Sequence, residues 1–283
     1  MYILFNTSLW NNERNWMSIE KLYILFYKFV FINYMFYNEF GDYMNNGELI
    51  KWIKESHKTV FFGGAGVSTE SGLKDFRSSD GLYNEKYAYP PEKILSHSFF
   101  INNTLEFYKF YRDKMNPNGY KPNITHKVLA EMEKKGLLSS IITQNIDGFH
   151  SYAGSIKVLE LHGSVKRNYC MKCHKFYNDD IVFNSSSIPK CSCGGIIKPD
   201  VVLYEEGLDD DIINEAIEEI STCDLLIIGG TSLNVYPAAS FINYFRGKHL
   251  VLINKDITPF DNICDLVIHD SIGKVFTEIK KSL

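Results

Sequence analysis

The chain is predicted to be an α/β protein: a Rossmann-like, doubly wound parallel sheet with a smaller domain made of a four-cysteine zinc module and a helical insertion. Three observations predict this. Short apolar runs recur from Thr59 to the carboxyl terminus with helical stretches between them, the alternation that builds a parallel sheet. A glycine-rich segment, Gly63–Ser68, directly follows the first run. Four of the six cysteines, Cys170, Cys173, Cys191 and Cys193, are clustered late in the chain.

The chain has 283 residues, enough to bury a large core as one domain with insertions. A net charge of −4, with 23% charged and 45% hydrophobic residues, is ordinary for a globular chain and gives no electrostatic footprint for nucleic acid. Residues 1–43 form an extension rich in Phe, Tyr, Asn and Ile. Its apolar stretch, Leu22–Tyr37, is interrupted by Lys28 and Asn33 and falls short of the ~20 apolar residues of a spanning helix, so no membrane is expected. The natural start is expected at Met44, because Gly47–His57 reads as an amphipathic helix leading into the first strand.

Within residues 44–283, the expected main domain, strands are read at Thr59–Phe62, Leu138–Thr143, Val158–Leu161, Asp200–Tyr204, Asp224–Ile228, Leu250–Ile253 and Asp265–Ile268. Continuous runs such as Leu225–Ile228 and Val251–Ile253 suit strands buried on both faces. Thr125–Lys135 and Ile212–Ile220 supply crossover helices. Residues 84–120, aromatic and helical in pattern, and 166–198, which hold the cysteines, depart from the alternation and together make the smaller domain.

The glycine segment sits where a tight turn lets backbone amides approach a pyrophosphate at a helix N-terminus; plain turn chemistry is the competing reading, and the spacing is not that of hydride-transferring dehydrogenases. Asp75-Phe76-Arg77 follows in a loop able to close over a ligand or simply to face solvent. Gln144-Asn145-Ile146-Asp147 lies at the carboxyl end of a predicted strand, where open α/β sheets bind ligands, although Asn and Asp also cap helices. His162 follows the next strand, and an imidazole there suits a general base near neutral pH. His126 and His150, inside helical stretches, read as packing or surface residues. The spacing Cys-x-x-Cys, seventeen residues, Cys-x-Cys suits tetrahedral Zn²⁺ with a closed, structural role. Gly230-Thr231-Ser232 and Asn254 end two later strands and extend the same edge.

Taken together these motifs resemble the sirtuins, NAD-dependent protein deacylases, over roughly Gly47 to the carboxyl terminus. The likeness rests on Gly-Ala-Gly-x-Ser at Gly64–Ser68, Asp-Phe-Arg at Asp75–Arg77, Thr-Gln-Asn-Ile-Asp at Thr143–Asp147, His162-Gly163, the four cysteines, and Gly-Thr-Ser-Leu-x-Val at Gly230–Val235. The resemblance implies NAD as co-substrate, one structural Zn²⁺, and an acylated-lysine protein or peptide as partner. The acyl oxygen attacks the nicotinamide ribose, nicotinamide leaves, and an O-acyl-ADP-ribose is released. His162 is then the base, with Asn145 and Asp147 holding ribose and nicotinamide. Cofactor contacts are implied for Gly64, Ala65, Gly66, Ser68, Thr69, Asp75, Phe76, Arg77, Gln144, Ile146, Gly230, Thr231, Ser232, Asn254, Lys255 and Ile272. The peptide is expected to pair with Val201, Val202 and Tyr204 on one side and with Leu233 and Val235 on the other.

Three departures stand out: Lys74 replaces the usual proline before Asp-Phe-Arg, Glu205 a common glycine, and the second cysteine pair is shortened. Succinyl- and malonyl-preferring members carry Tyr-x-x-Arg; here Tyr108 is followed three residues later by Tyr111, and Arg112 is displaced by about 100° of helix, so an uncharged acyl group is expected. Glu205–Glu219 holds eight acids and no Lys or Arg; it reads as a solvated helix with Asp209–Asp211 at its positive end, with recruitment of basic peptides as the alternative. A cytoplasmic location is expected from the clustered thiols.

Overall fold

The computed structural model describes residues 45–75, 81, 87–234 and 236–283. The expectations for residues 1–43, the Met44 start, Phe76, Arg77 and Val235 lie outside these residues. Residues 45–55 form helix α1, which leads into β1 (Thr59–Gly63) and the short helix α2 (Gly66–Thr69). With β2 (Ser140–Thr143), β3 (Val158–Glu160), β7 (Leu225–Gly229), β8 (His249–Ile253) and β9 (Leu266–Ile268) it makes a six-stranded parallel sheet in the order β3-β2-β1-β7-β8-β9. This is the doubly wound order, whose reversal falls between β1 and β7.

Alternation along the strands fills two cores. Phe61, Leu225 and Ile227 pack on one face with Leu49 and Ile53 of α1, helix α6 (Ile124–Lys134) and helix α10 (Ile272–Ser282). Val60, Phe62, Leu226 and Ile228 pack on the other with helix α9 (Asp210–Thr222) and the 3-10 turn Ala238–Tyr244. Both faces of β1 and β7 are therefore dry, which is why their sequences are unbroken apolar runs. Helix starts are fixed by side chains: Asn123 caps α6, Asp209 accepts from Asp211 N and Ile212 N, and Ser271 accepts from Lys274 N, each satisfying amides that lack intrahelical partners. Asp209 to Asp211 lie at the start of α9, as expected from the macrodipole.

One strand was expected in the wrong sheet. The Asp200–Tyr204 run contributes only its beginning to β6 (Ile197–Val201), which pairs antiparallel with β4 (Gly163–Cys170) in a separate three-stranded sheet, β5-β4-β6, with β5 at Phe176–Tyr177. Tyr204 instead bridges Ser96. The small sheet, with helix α8 (Asp180–Phe183), covers the expected zinc module. The described part of the helical insertion holds α3 (Pro91–Ile94), α4 (His97–Asn102) and α5 (Thr104–Lys114). A third core of Phe99, Phe100, Phe107, Tyr108 and Tyr111 joins these helices to Val165, Val182 and Val201 of the small sheet and α8. Among the described residues no helix is long and apolar enough to cross a membrane.

Candidate active site

Because the six strands are parallel, the segments after β1, β2, β3, β7 and β8 emerge along one edge, and a cavity of about 960 Å³ opens there. At the β1/β7 reversal two backbones nearly touch. Gly66 N donates to Gly230 O at 2.8 Å, and a Cβ on Gly66 would meet Gly230 Cα and O at 2.8 Å. Gly230 has φ +59, and its own Cβ would lie 2.5 Å from Val67 N. Side chains at either position would push the strand ends apart, which explains why glycine occupies both. Gln144 reaches across the seam, its Nε2 donating to Thr231 Oγ1 at 3.2 Å.

A buried polar cluster lies beside this seam. Ser68 Oγ donates to Asp147 Oδ2 at 2.7 Å and accepts from Asn145 Nδ2 at 3.1 Å. Asp147 Oδ1 accepts from Phe149 N, the first amide of the short helix α7 (Phe149–Tyr152), at 2.8 Å, and the residue also lines the cavity. Burial raises the Asp147 carboxyl, opposed by the Phe149 amide, the Ser68 hydroxyl and Lys166. His126 Nε2 stands 3.5 Å from Ser68 Oγ, and Asn123 ties the glycine loop to α6 through Val67 O. Neither Asn123 nor His126 was assigned to the site from sequence. The capping pattern at the start of α6 was their only local signal.

His162 lies on the cavity wall, its Nδ1 2.9 Å from Gln144 O. A carbonyl can only accept, so this contact places the proton on Nδ1 and leaves the lone pair of the neutral ring on Nε2. Burial lowers the imidazole below 6.5, with the Gln144 carbonyl acting in the opposite direction. Gly163 follows because β4 passes so close to β6 that a Cβ there would sit 1.9 Å from Asp200 O, and its φ is +72.

Of the expected contacts, Ala65, Gly66, Ser68, Asp75, Gln144, Asn145, Ile146, Asp147, His162, Val201, Val202, Tyr204, Gly230, Thr231, Ser232 and Asn254 line the cavity. Five do not reach its wall. Gly64 is held beneath it by Thr231, within 2.6 Å of where a Cβ would be, and Thr69 turns its hydroxyl back to Gly66 O. Leu233 is buried in the second core and Ile272 in the first, against Gly229, because both are apolar and the strand ends beside them need covering. Lys255 is exposed. The wall also includes Tyr111, Met115, Asn116, Pro117 and Tyr120; only the Asn-Pro turn after α5 hinted at the last three. Glu205, in place of the common glycine, keeps a left-handed backbone with φ 75, and its carboxylate accepts from Ser98 N and Oγ.

The four clustered cysteines are free thiols whose sulfurs all lie within 4.8 Å of one another. Separations of 3.4 Å for Cys170–Cys193, 3.6 Å for Cys173–Cys191 and 3.4 Å for Cys193–Cys173 approach the ~3.8 Å edge of a tetrahedron with Zn–S bonds of about 2.3 Å. Gly195 is required, since a Cβ there would come 2.6 Å from Cys170 Sγ. The donor set fits one Zn²⁺ with no position left for a reacting water.

The Sir2 family model matches residues 64–237. An NAD-dependent protein deacetylase of Clostridium acetobutylicum is 58% identical over 236 residues, covering 82% of this chain and 96% of that protein. A solved Sir2 structure with a deacetylated p53 peptide and 3′-O-acetyl ADP ribose superimposes with a TM-score of 0.77 at 38% identity, covering 83% of this chain and 97% of that one. Another, bound to a propionylated peptide, gives 0.74 at 37% identity over 83% and 97%.

Proposed function

The chain belongs to the Sir2 family, and on that premise we propose that it is an NAD-dependent protein-lysine deacetylase that passes the acyl group to ADP-ribose, releasing nicotinamide and O-acetyl-ADP-ribose. The observation that carries the reading is the His162 ring, fixed by Gln144 O with its other nitrogen as the basic one, on the same wall as Asn145 and Asp147. A relative named for NAD-dependent deacetylation and a Sir2 structure containing acetyl ADP-ribose support it.

Bound NAD supplies an electrophilic ribose carbon, a leaving group and ribose hydroxyls. In this reading Ala65 and Gly66 present the tight turn to its phosphates, helped by Thr231, Ser232 and Asn254 from the later strands. Asn145 and Asp147, held by Ser68, orient the ribose and nicotinamide. His162 accepts a ribose hydroxyl proton at Nε2; its depressed pKa keeps it in the accepting form at neutral pH. The peptide lies extended against Val201, Val202 and Tyr204, a β-augmentation supported by their position on the cavity wall. The roles of Phe76, Arg77 and Val235 remain those the family resemblance implies.

An uncharged acyl group is the proposed substrate. Arg112, one residue past the expected reading position, donates from Nη1 to Ser187 O at 3.0 Å and lies over the Tyr108 ring; Tyr111 holds the reading position itself, and Lys114, also on the cavity wall, lies over the Tyr87 ring at 5.4 Å. A carboxylate-bearing acyl group would find a tyrosine in place of a guanidinium at the reading position. A reducing, cytoplasmic setting belongs to the same proposal, supported by the thiolate chemistry of the zinc ligands. Incubating the full chain with acetyl-peptide and NAD tests the reading: nicotinamide, deacetylated peptide and O-acetyl-ADP-ribose are expected in equal amounts, whereas free acetate, or nicotinamide without deacetylation, would overturn it.

A further inference from the structure

The ladder between β4 and β6 lapses at one point. Gly163 and Ser164 pair with Val201 and Asp200, and pairing resumes only at Asn168 with Pro199, so Val165, Lys166 and Arg167 bulge out of register. Bulges re-aim side chains and are common beside active sites. This one starts three residues after His162, and its backbone reaches the cavity wall: Val165 N donates to Ile146 O, between Asn145 and Asp147, at 2.9 Å. His162 is tied to the same surroundings. Its carbonyl accepts from Val202 N at 3.0 Å, while Leu161 N donates to Thr143 O at 3.0 Å. The base, the polar segment and the strand expected to hold the peptide therefore meet where the small sheet loses its own pairing.

Arg167 spans the lapse. Its Nη1 donates to Glu160 Oε2 at 2.5 Å and its Nε to Asp200 Oδ2 at 2.7 Å. Glu160 ends β3 of the parallel sheet, and Asp200 lies on β6 of the small sheet, next to Val201. One planar guanidinium thus joins the two sheets beside the turn that carries His162, a bridge for which the single ammonium of a lysine is poorly shaped. Glu160 keeps only 9% of its side-chain surface exposed. Burial raises its carboxyl, Arg167 and Ser164 act against this, and Asp147 adds to it, so the guanidinium also offsets a second negative charge close to Asp147. Glu160, Arg167 and Asp200 stand behind the cavity wall and are not part of it, so any effect on the reaction passes through the residues they hold.

Resting on the deacylase reading above, we propose that Arg167 is a positioning residue of the reaction. By clamping Glu160 to Asp200 it fixes the β4 bulge, and through the bulge the spacing of His162, the Asn145–Asp147 segment and the peptide strand Val201–Val202. The seam at Gly66 and Gly230, on β1 and β7, lies outside the clamp.

The test follows deacetylation of an acetyl-peptide with NAD by the full chain as wild type, as Arg167→Met, and as the double variant Glu160→Gln with Arg167→Met. Methionine removes both bonds and leaves Glu160 buried and unpaired, so Arg167→Met should melt at a lower temperature. The double variant takes that charge away and should regain most of the loss. In both, kcat should fall about tenfold or more, the effect of a small misplacement of reacting groups. KM for NAD should stay within about twofold in both, because the seam is untouched. A merely structural residue would behave otherwise, with kcat recovering alongside the melt. Recovery of kcat in the double variant, an unchanged kcat in Arg167→Met, or a KM for NAD that rises as far as kcat falls overturns the proposal. A double variant unable to fold also overturns it, since the clamp would then serve the fold itself. If Arg167→Met alone did not fold, the double variant would carry the comparison. Failure of the underlying reading is distinguishable, since then the wild-type chain would release no deacetylated peptide.

Discussion

His150 is fully enclosed in α7, 4.7 Å from the His126 ring and 6.3 Å from Phe61, and neither of its ring nitrogens has a hydrogen-bond partner among the described residues. Burial lowers its pKa well below 6.5, with His126 adding repulsion; burial also brings His126 down to about 4. Both folded values are depressed, so on acidification the unfolded chain takes up protons that the native state refuses, and stability falls as pH drops below 6.5. Each such histidine contributes a slope of about 1.4 kcal/mol per pH unit. For His126, from 6.5 to about 4, this amounts to roughly 3.4 kcal/mol, and the pair together give about 2.7 kcal/mol per unit. His150→Leu, close in volume, removes one of the two, so the pH-dependent loss should be roughly halved; at pH 7 the variant should be no less stable, because it buries no unpaired nitrogen. Urea unfolding of wild type and variant at pH 7 and pH 5 measures this, and comparing the two cancels acid effects on the cysteines and on Asp147. Equal slopes would refute the reasoning.

Further outcomes follow from the site and the zinc module. Gly66→Ala puts a methyl group 2.8 Å from Gly230 Cα and O, so the seam must open: we expect a loss of about 1–3 kcal/mol and a KM for NAD raised at least tenfold, and an unchanged KM and melting temperature would contradict this. Metal analysis should find one zinc per chain, and chelation should abolish activity together with cooperative melting; full activity in metal-free protein would contradict the structural role. Since burial depresses the His162 pKa, the acidic limb of kcat/KM should lie below pH 6.5, and a limb above that value would show that the ring is not buried as described.

Most of the sheet was legible because its central strands are dry on both faces and so read as unbroken apolar runs. The run at Val201–Leu203 looks the same, yet its beginning belongs to an antiparallel pair with β4: periodicity reports burial, and the partner strand comes from elsewhere in the chain. β4 itself was missed. It carries Lys166 and Arg167 within a register shift between Ser164 and Asn168, and Arg167, half-buried, bonds Glu160 and Asp200. Within the site, residues at strand ends were found because position alone marks them. The Ser68–Asn145–Asp147 cluster and its neighbour His126 were not visible as a unit, since their hydrogen bonds join segments 58 to 79 residues apart. The side chains of Ile272 and Leu233, expected at the site from the resemblance, are packed in the two cores, where an apolar side chain next to a strand end is most readily buried.

The central claim is that His162 supplies the base for NAD-dependent deacylation. The most direct measurement follows O-acetyl-ADP-ribose formation from acetyl-peptide and NAD by wild type and His162→Ala, with thermal melts confirming that both are folded. The account predicts a fall in rate of about 10²-fold or more in the variant. A folded His162→Ala protein that forms O-acetyl-ADP-ribose at the wild-type rate would contradict it.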